Sequence, residues 1–460
     1  LRKLISLITI LPFLNNDNIM KKTSTLLLLF LFSMIFSYKI SAQTTTINGL
    51  TVVVNYSDVS MNTTLDSISM MMNQESGFTA WGNNGSVKEY FTTQTSGKVA
   101  LNSHVISVTL AQNFRYYHGP SLPYNGGIEL VKDVVAAINA AYPSGFTNLT
   151  YHPTEGRLWH FSILSSSNAN GLGVAYGFNE GLTVLNNGVP IPVKNVGVAG
   201  FVLPAKPEIN VICHEFGHSV FGWTDYYNTE HGGASNMGHY CLMGSGGRRG
   251  YPMHITAALR YKKGWISNVV ELNASATQTY QAVANTPNHV FKYTNENNPK
   301  EYYLIEAYTH SKYYLSYTGD RFPNNQHYVP DQGLAIWYVD EDGGLLNPPS
   351  NPNLKISLVQ ADGFDQMRGR NSTHYQMRGD STDLFNERFP IFNDSIYHRF
   401  RWKSGEETGL IITDISPASD TMTFTLNARE NTISTLSNPY GRVIPGGLVN
   451  AKTGQDKTFK

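Results

Sequence analysis

The sequence predicts an α+β protein in two parts, a mixed helix–strand region over residues 43–272 and a β-rich, sandwich-like region over 273–428. Three observations predict it. Residues 128–142 carry Leu130, Val134, Val135, Ile138 and Ala141 at helical spacing and stop at Pro143, as a helix lying on a sheet would. Strand-like runs at 50–56, 98–108 and 158–164 flank that helix. From residue 273 onward the pattern turns to short apolar runs, at 302–306, 333–339, 356–360, 409–412 and 422–426, separated by Asn, Asp, Gly and Pro turns.

In chain order, residues 1–42 read as an N-terminal extension and signal peptide. Lys21-Lys22 precede an apolar run at 26–36, Ser41-Ala42 offer a small-residue cleavage site, and Met20 is the expected start. That run is too short to span a bilayer comfortably, although an N-terminal membrane anchor is the competing reading. With no other segment near eighteen apolar residues, a secreted, soluble mature chain is expected. The composition agrees: only 15% of residues are charged, the net charge is zero, and 27 Tyr and 40 Gly suit an extracellular protein rich in strands and turns. Nothing in it serves a polyanionic partner, which argues against nucleic-acid binding.

A turn at 83–86 leads into a short helix, and a polar loop fills 165–171. Residues 228–239 form a Gly- and Asn-rich loop, and 240–247 a tight apolar-to-glycine turn. Pro252 in a first turn and Gly264 at the end predict a helix through Lys263. Residues 429–460 read as a polar tail. There are no internal repeats.

The chemistry concentrates in residues 211–225, where His214, Glu215 and His218 form an HExxH pattern. On a helix, positions four apart share a face, so both imidazoles can point at one ion. The glutamate between them sits where it can take a proton from water. The bland alternative is a surface helix with two histidines. A catalytic zinc needs a third protein ligand, and no Asp or Glu occurs between His231 and Val270, which argues against a glutamate on a later helix. The candidates are Asp225, Glu230, His231, His239 and His254. Asp225 is favoured because Gly222 can turn the chain back toward the ion; the competing reading is an aspartate that caps a turn.

Cys213 and Cys241 are too few for a disulfide framework; a buried bridge and two inert buried thiols are both open. Asp380 and Asp383, close together in a Gly-Asp-Ser-Thr-Asp loop, are candidates for a structural calcium ion, against ordinary turn aspartates. Asp340, Glu341 and Asp342 read as a solvated acidic turn.

His-Glu-Phe-Gly-His, a following glycine, an Asp followed by tyrosines, and then Leu-Met-Gly-Ser-Gly resemble the immune inhibitor A family of secreted zinc metallopeptidases, within the wider metzincin group. Segments 84–91, 252–265, 301–306, 333–337 and 379–385 extend the likeness, which covers about residues 48–428. The chain departs from the pattern in one spacing. The family usually places two residues between the second His and the Gly, and the Asp six after that His. Here Gly222 and Asp225 follow His218 by four and seven, one residue more. A second departure is the little room left for an inhibitory propeptide.

The resemblance implies a metzincin-like catalytic domain with zinc on His214, His218 and Asp225, and Glu215 as general base. It implies Met243 as a floor beneath the helix, and a tyrosine steadying the oxyanion, for which Tyr226, Tyr227, Tyr240 and Tyr251 are candidates. The expected activity is cleavage of extracellular proteins or peptides. Two alternatives stand beside it: a non-catalytic adhesion or glycan-binding protein with a protease-like domain, and a zinc hydrolase acting on something other than peptides.

Overall fold

The first strand sorts the molecule into layers. Along it Ile47 and Val53 point into one hydrophobic cluster, and Leu50, Val52 and Val54 into another. This period of two marks a strand buried on both faces. The computed structural model describes residues 44–460 except 119–126, 167–171, 202–205, 229–233, 245–246, 249, 314–330, 344–354, 365, 369–378, 394–396, 398–400, 436–443, 445–446 and 453–456. The proposed signal peptide therefore lies outside the described residues. Among those described, no helix is long and apolar enough to cross a membrane.

The chain runs β1 (Thr45–Asn55), α1 (Leu65–Asn73), α2 (Val87–Gln94), β2 (Val99–Thr109), α3 (Phe114–Tyr117), α4 (Gly127–Ala141), β3 (Phe161–Ser166) and β4 (Leu172–Gly177). A hairpin follows, β5 (Thr183–Asn186) with β6 (Val189–Pro192), then β7 (Asn195–Phe201) and α5 (Ile209–Ser219). Strand order in the first sheet is β2-β1-β3-β7-β4. Its first four strands are parallel, while β4 runs antiparallel to β7 and forms an edge. Helix α4 covers one face through Leu130, Val131, Val134, Val135 and Ile138. Helices α1, α2 and α5 cover the other.

Two short pairs, β8 (Tyr227–Asn228) with β9 (Ala234–Ser235) and β10 (Gly247–Arg248) with β11 (Tyr251–Pro252), precede α6 (Ala257–Lys262). The helix expected from Pro252 thus starts later, because Pro252 is paired with Gly247. Then come β12 (Asn268–Glu271), β13 (Gln278–Val283), β14 (His289–Asn295), β15 (Asn298–Tyr308), β16 (Gly333–Asp340), β17 (Ile356–Leu358), β18 (Ile412–Thr413) and β19 (Thr421–Leu426). They form a five-stranded sheet, β12-β14-β15-β16-β17, and a three-stranded one, β13-β19-β18. Tyr303, Ile305 and Ala307 of β15 share a cluster with Met422, Phe424 and Leu426 of β19, so the two sheets stack as a sandwich. The alternate residues Tyr302, Leu304 and Tyr308 belong to the cluster that holds α5. The five-stranded sheet is thus buried on both faces, and its outer face completes the core of the first region.

The segment expected to be a polar tail contains a hairpin, β20 (Glu430–Thr435) with β21 (Gly447–Lys452). The acidic turn at 340–342 is only partly solvated: Asp340 is buried and pairs with Lys403 at 3.0 Å.

One buried ion pair locks the second region to the first. Glu306 on β15 pairs with Arg260 of α6, accepts from the Ala257 amide at 2.7 Å and the Trp337 indole at 3.1 Å, and also accepts from the Tyr308 hydroxyl. Both charged partners are buried. Removing one would strand the other, so Glu306→Ala is expected to lower folding stability by about 3–5 kcal/mol, read from the urea midpoint. A loss below about 1 kcal/mol would show the pair to be incidental.

Candidate metal centre

Helix α5 is held at both ends by side chains from elsewhere. At its start the Ile209 amide donates to Asn83 Oδ1 at 2.8 Å, supplying a cap the helix lacks in its own sequence. At its end Arg157 donates to the Ser219 carbonyl at 3.2 Å and the Trp159 indole to the Val220 carbonyl at 3.1 Å. Both come from the segment leading into β3, and the sequence reading missed them; a buried arginine beside a tryptophan was the available signal.

The extra residue after His218 is absorbed in the turn. Gly222, at φ 68°, donates to the His218 carbonyl, and Trp223 to that of Gly217, each at 2.9 Å. In a Schellman cap the equivalent bonds span three and five residues; here they span four and six. The added bond from the Phe221 amide to the Phe216 carbonyl spans five, a π-type turn. Asp225 is therefore still delivered to the histidines.

There Asp225 Oδ1 lies 3.1 Å from His214 Nε2 and 3.2 Å from His218 Nε2, and the two Nε2 atoms are 3.2 Å apart. Among the described residues this is the one group in which three metal-ligating side chains converge. Each imidazole is fixed from behind: His214 Nδ1 donates to the Leu242 carbonyl at 2.8 Å and His218 Nδ1 to the Trp223 carbonyl at 2.7 Å. A carbonyl only accepts, so each Nδ1 carries a proton and each Nε2 is turned inward, where a bound cation would take its lone pair. Two lone pairs at 3.2 Å repel unless a proton or a cation lies between them. Donor atoms on a tetrahedral zinc ion, with bonds of about 2.0–2.1 Å, sit about 3.3 Å apart, so the donor set and its spacing fit zinc.

Glu215 is buried, and its Oε2 has no hydrogen-bond partner. Burial pushes its carboxyl up to about 7, against the pull of His214 and His218 and with a push from Asp225. Met243 is fully buried against Gly217, where a Cβ would come within 3.0 Å of its Cε and nearer its sulfur. Gly217 is therefore required by the close approach of Met243.

The other candidates fall elsewhere. His239 is buried in the turn beneath the helix, and His254 packs against Tyr308 at 4.1 Å. Glu230 and His231 lie outside the described residues. Of the four tyrosines, Tyr227 is the one at the centre, its ring 6.2 Å from that of His214. Tyr240 points away, donating to the Asp380 carbonyl at 2.9 Å, and Tyr226 is buried in the core. Tyr251 sits on β11. Cys213 and Cys241 are buried free thiols, both pushed up by burial. Asp383 is buried and accepts from Gln360 at 2.5 Å and Tyr240 at 3.2 Å, while Asp380 accepts from the Thr382 amide at 2.9 Å. No third carboxylate or imidazole converges on that pair among the described residues.

A scan against known protein families and a search of curated proteins each returned no match.

The metal-free centre has a defined pH response. The raised Glu215 carboxyl costs stability as pH climbs from its ordinary 4.5 through about 7. His218 is opposed by burial, but the Asp225 hydrogen bond and charge outweigh it and raise its pKa above 6.5. Its contribution is therefore complete at lower pH and lost as pH rises through the folded value. Asp225, despite burial, is held well below its ordinary range by the two histidines, so it is lost only in strong acid. The Tm of the metal-free protein should thus fall between about pH 5 and about pH 8, less steeply in Glu215→Gln. A flat or rising Tm over that range would contradict these assignments.

Proposed function

We propose that the chain is a zinc-dependent endopeptidase, metzincin-like in its catalytic region and resembling immune inhibitor A, that cleaves proteins outside the cell. The observation that carries the reading is the buried Glu215 carboxyl, its Oε2 without a hydrogen-bond partner, beside three converging metal-type donors. Met243 beneath Gly217 supports the metzincin-like assignment. The apolar run at 26–36 supports secretion.

His214, His218 and Asp225 would hold zinc, which when bound polarises a scissile carbonyl and acidifies water. Glu215 accepts the proton of the attacking water and passes it to the leaving amine. In the metal-free centre burial pushes this carboxyl up to about 7, so its acid form is accessible there near neutral pH. Tyr227, its ring 6.2 Å from that of His214, is the tyrosine placed to address a developing oxyanion. Strand β4 passes Glu215 and is the last strand of its sheet among the described residues, so an extended peptide can add to that edge with its backbone beside the carboxyl. That geometry favours peptides over compact substrates.

The test is cleavage of a generic unfolded protein, with and without chelator, beside Glu215→Gln. Stoichiometric zinc should be retained in the variant while turnover falls by about 10²–10⁴-fold. Zinc retention without cleavage by the wild type would instead favour a non-peptide substrate or the adhesion-module reading.

A further inference from the structure

The catalytic carboxyl proposed above occupies space that a side chain on the neighbouring strand would need. A Cβ built on Gly173 of β4 would lie 2.6 Å from both Cγ and Cδ of Glu215, and nearer still to Oε1. Strand β7 repeats the device one strand inward. A Cβ on Gly197, the partner of Ala175, would lie 3.2 Å from Glu215 Cβ and 3.3 Å from Ser219 Oγ. Neither glycine has a positive φ, so backbone conformation does not demand them; space does. Gly177 on the same strand is a contrast, because a Cβ there would meet only Asn195 Oδ1, at 3.3 Å.

We propose that Gly173, with Gly197 behind it, is a positioning residue that sets the bearing of the Glu215 carboxyl on the three-donor group; this rests on the peptidase reading of Glu215. The clash at position 173 falls on the free end of a flexible side chain. Strand β4 is tied to β7 by backbone pairing, from Leu172 opposite Gly200 to Gly177 opposite Asn195. Rotating the carboxyl is easier than moving the strand. A methyl at 173 therefore leaves the fold and the metal ligands in place and turns the base away.

The test is Gly173→Ala in the full chain, alone and combined with Glu215→Ala, with Gly177→Ala as the control. Gly173→Ala should cut kcat by at least about tenfold and by no more than the roughly 10²–10⁴-fold that a general base supplies, with KM unchanged. Zinc affinity, measured by competition with a chromophoric chelator, should also be unchanged, and Gly177→Ala should show no coupling to Glu215→Ala in Tm. Independently of activity, Gly173→Ala should lower Tm in the wild-type background and not in Glu215→Ala, where the space is vacant. Equal Tm losses in both backgrounds, or an unchanged kcat beside an active wild type, would overturn the proposal. Should Gly173→Ala fail to fold, folding of the double variant would support the seat and its failure would refute it. An inactive wild type with a coupled Tm cycle would refute the peptidase reading while leaving the Gly173–Glu215 contact established.

Discussion

Two backbone carbonyls, those of Leu242 and Trp223, decide how the centre is built. By accepting from His214 and His218 they fix the tautomer of both rings and aim both Nε2 atoms at one point. Neither carbonyl belongs to α5, so the helix cannot orient its own ligands. The Trp223 carbonyl is placed by the widened turn that follows the helix. The Leu242 carbonyl is placed by a longer chain: Leu242 donates to the His254 carbonyl, and the segment after His254 leads into α6, which Glu306 and Arg260 anchor to the five-stranded sheet. The β-rich region is thus part of the support for the three converging side chains.

This explains why the two regions share a core. Besides turning a glutamate and two histidines toward one point, α5 buries Ile209, Val211, Ile212, Cys213 and Phe216 in the cluster it shares with both neighbours. Sheet β12-β14-β15-β16-β17 supplies Tyr302, Leu304, Ala335, Trp337 and Val339 to that cluster. Its strand β16 reads as a nearly continuous apolar run because both of its faces are covered.

Long, strongly patterned elements were legible in the sequence. The helix expected at 128–142 forms over Gly127–Ala141, with Pro143 just beyond it. The histidine pair and glutamate could be placed on one helix from spacing alone. What escaped notice was structure whose residues answer to neighbours. Strands β4 to β7 are rich in Gly, Pro and Asn and lack clean alternation, partly because Gly173 and Gly197 leave room for Glu215. Helix α1 is short and methionine-rich and depends on a Thr64 cap. Pro252 carries the marks of a helix start, yet its chain is drawn into a strand pair, and α6 begins where Glu306 captures the Ala257 amide. Such long-range partners leave no local pattern to read.

The meeting of Asp225 with the two histidines depends on the same kind of long-range partner. Spacing alone counts one residue too many, and in an ideal helix end that residue would rotate the aspartate by about 100° around the axis. The π-type bond from Phe221 to Phe216 takes up the extra residue before Gly222 reverses the chain. Phe221 is in turn held by stacking on Trp223 at 5.1 Å and edge contact with Trp265 at 5.1 Å. The aromatic packing behind the turn therefore sets the reach of Asp225, and the ligand geometry is a property of the core as much as of the motif.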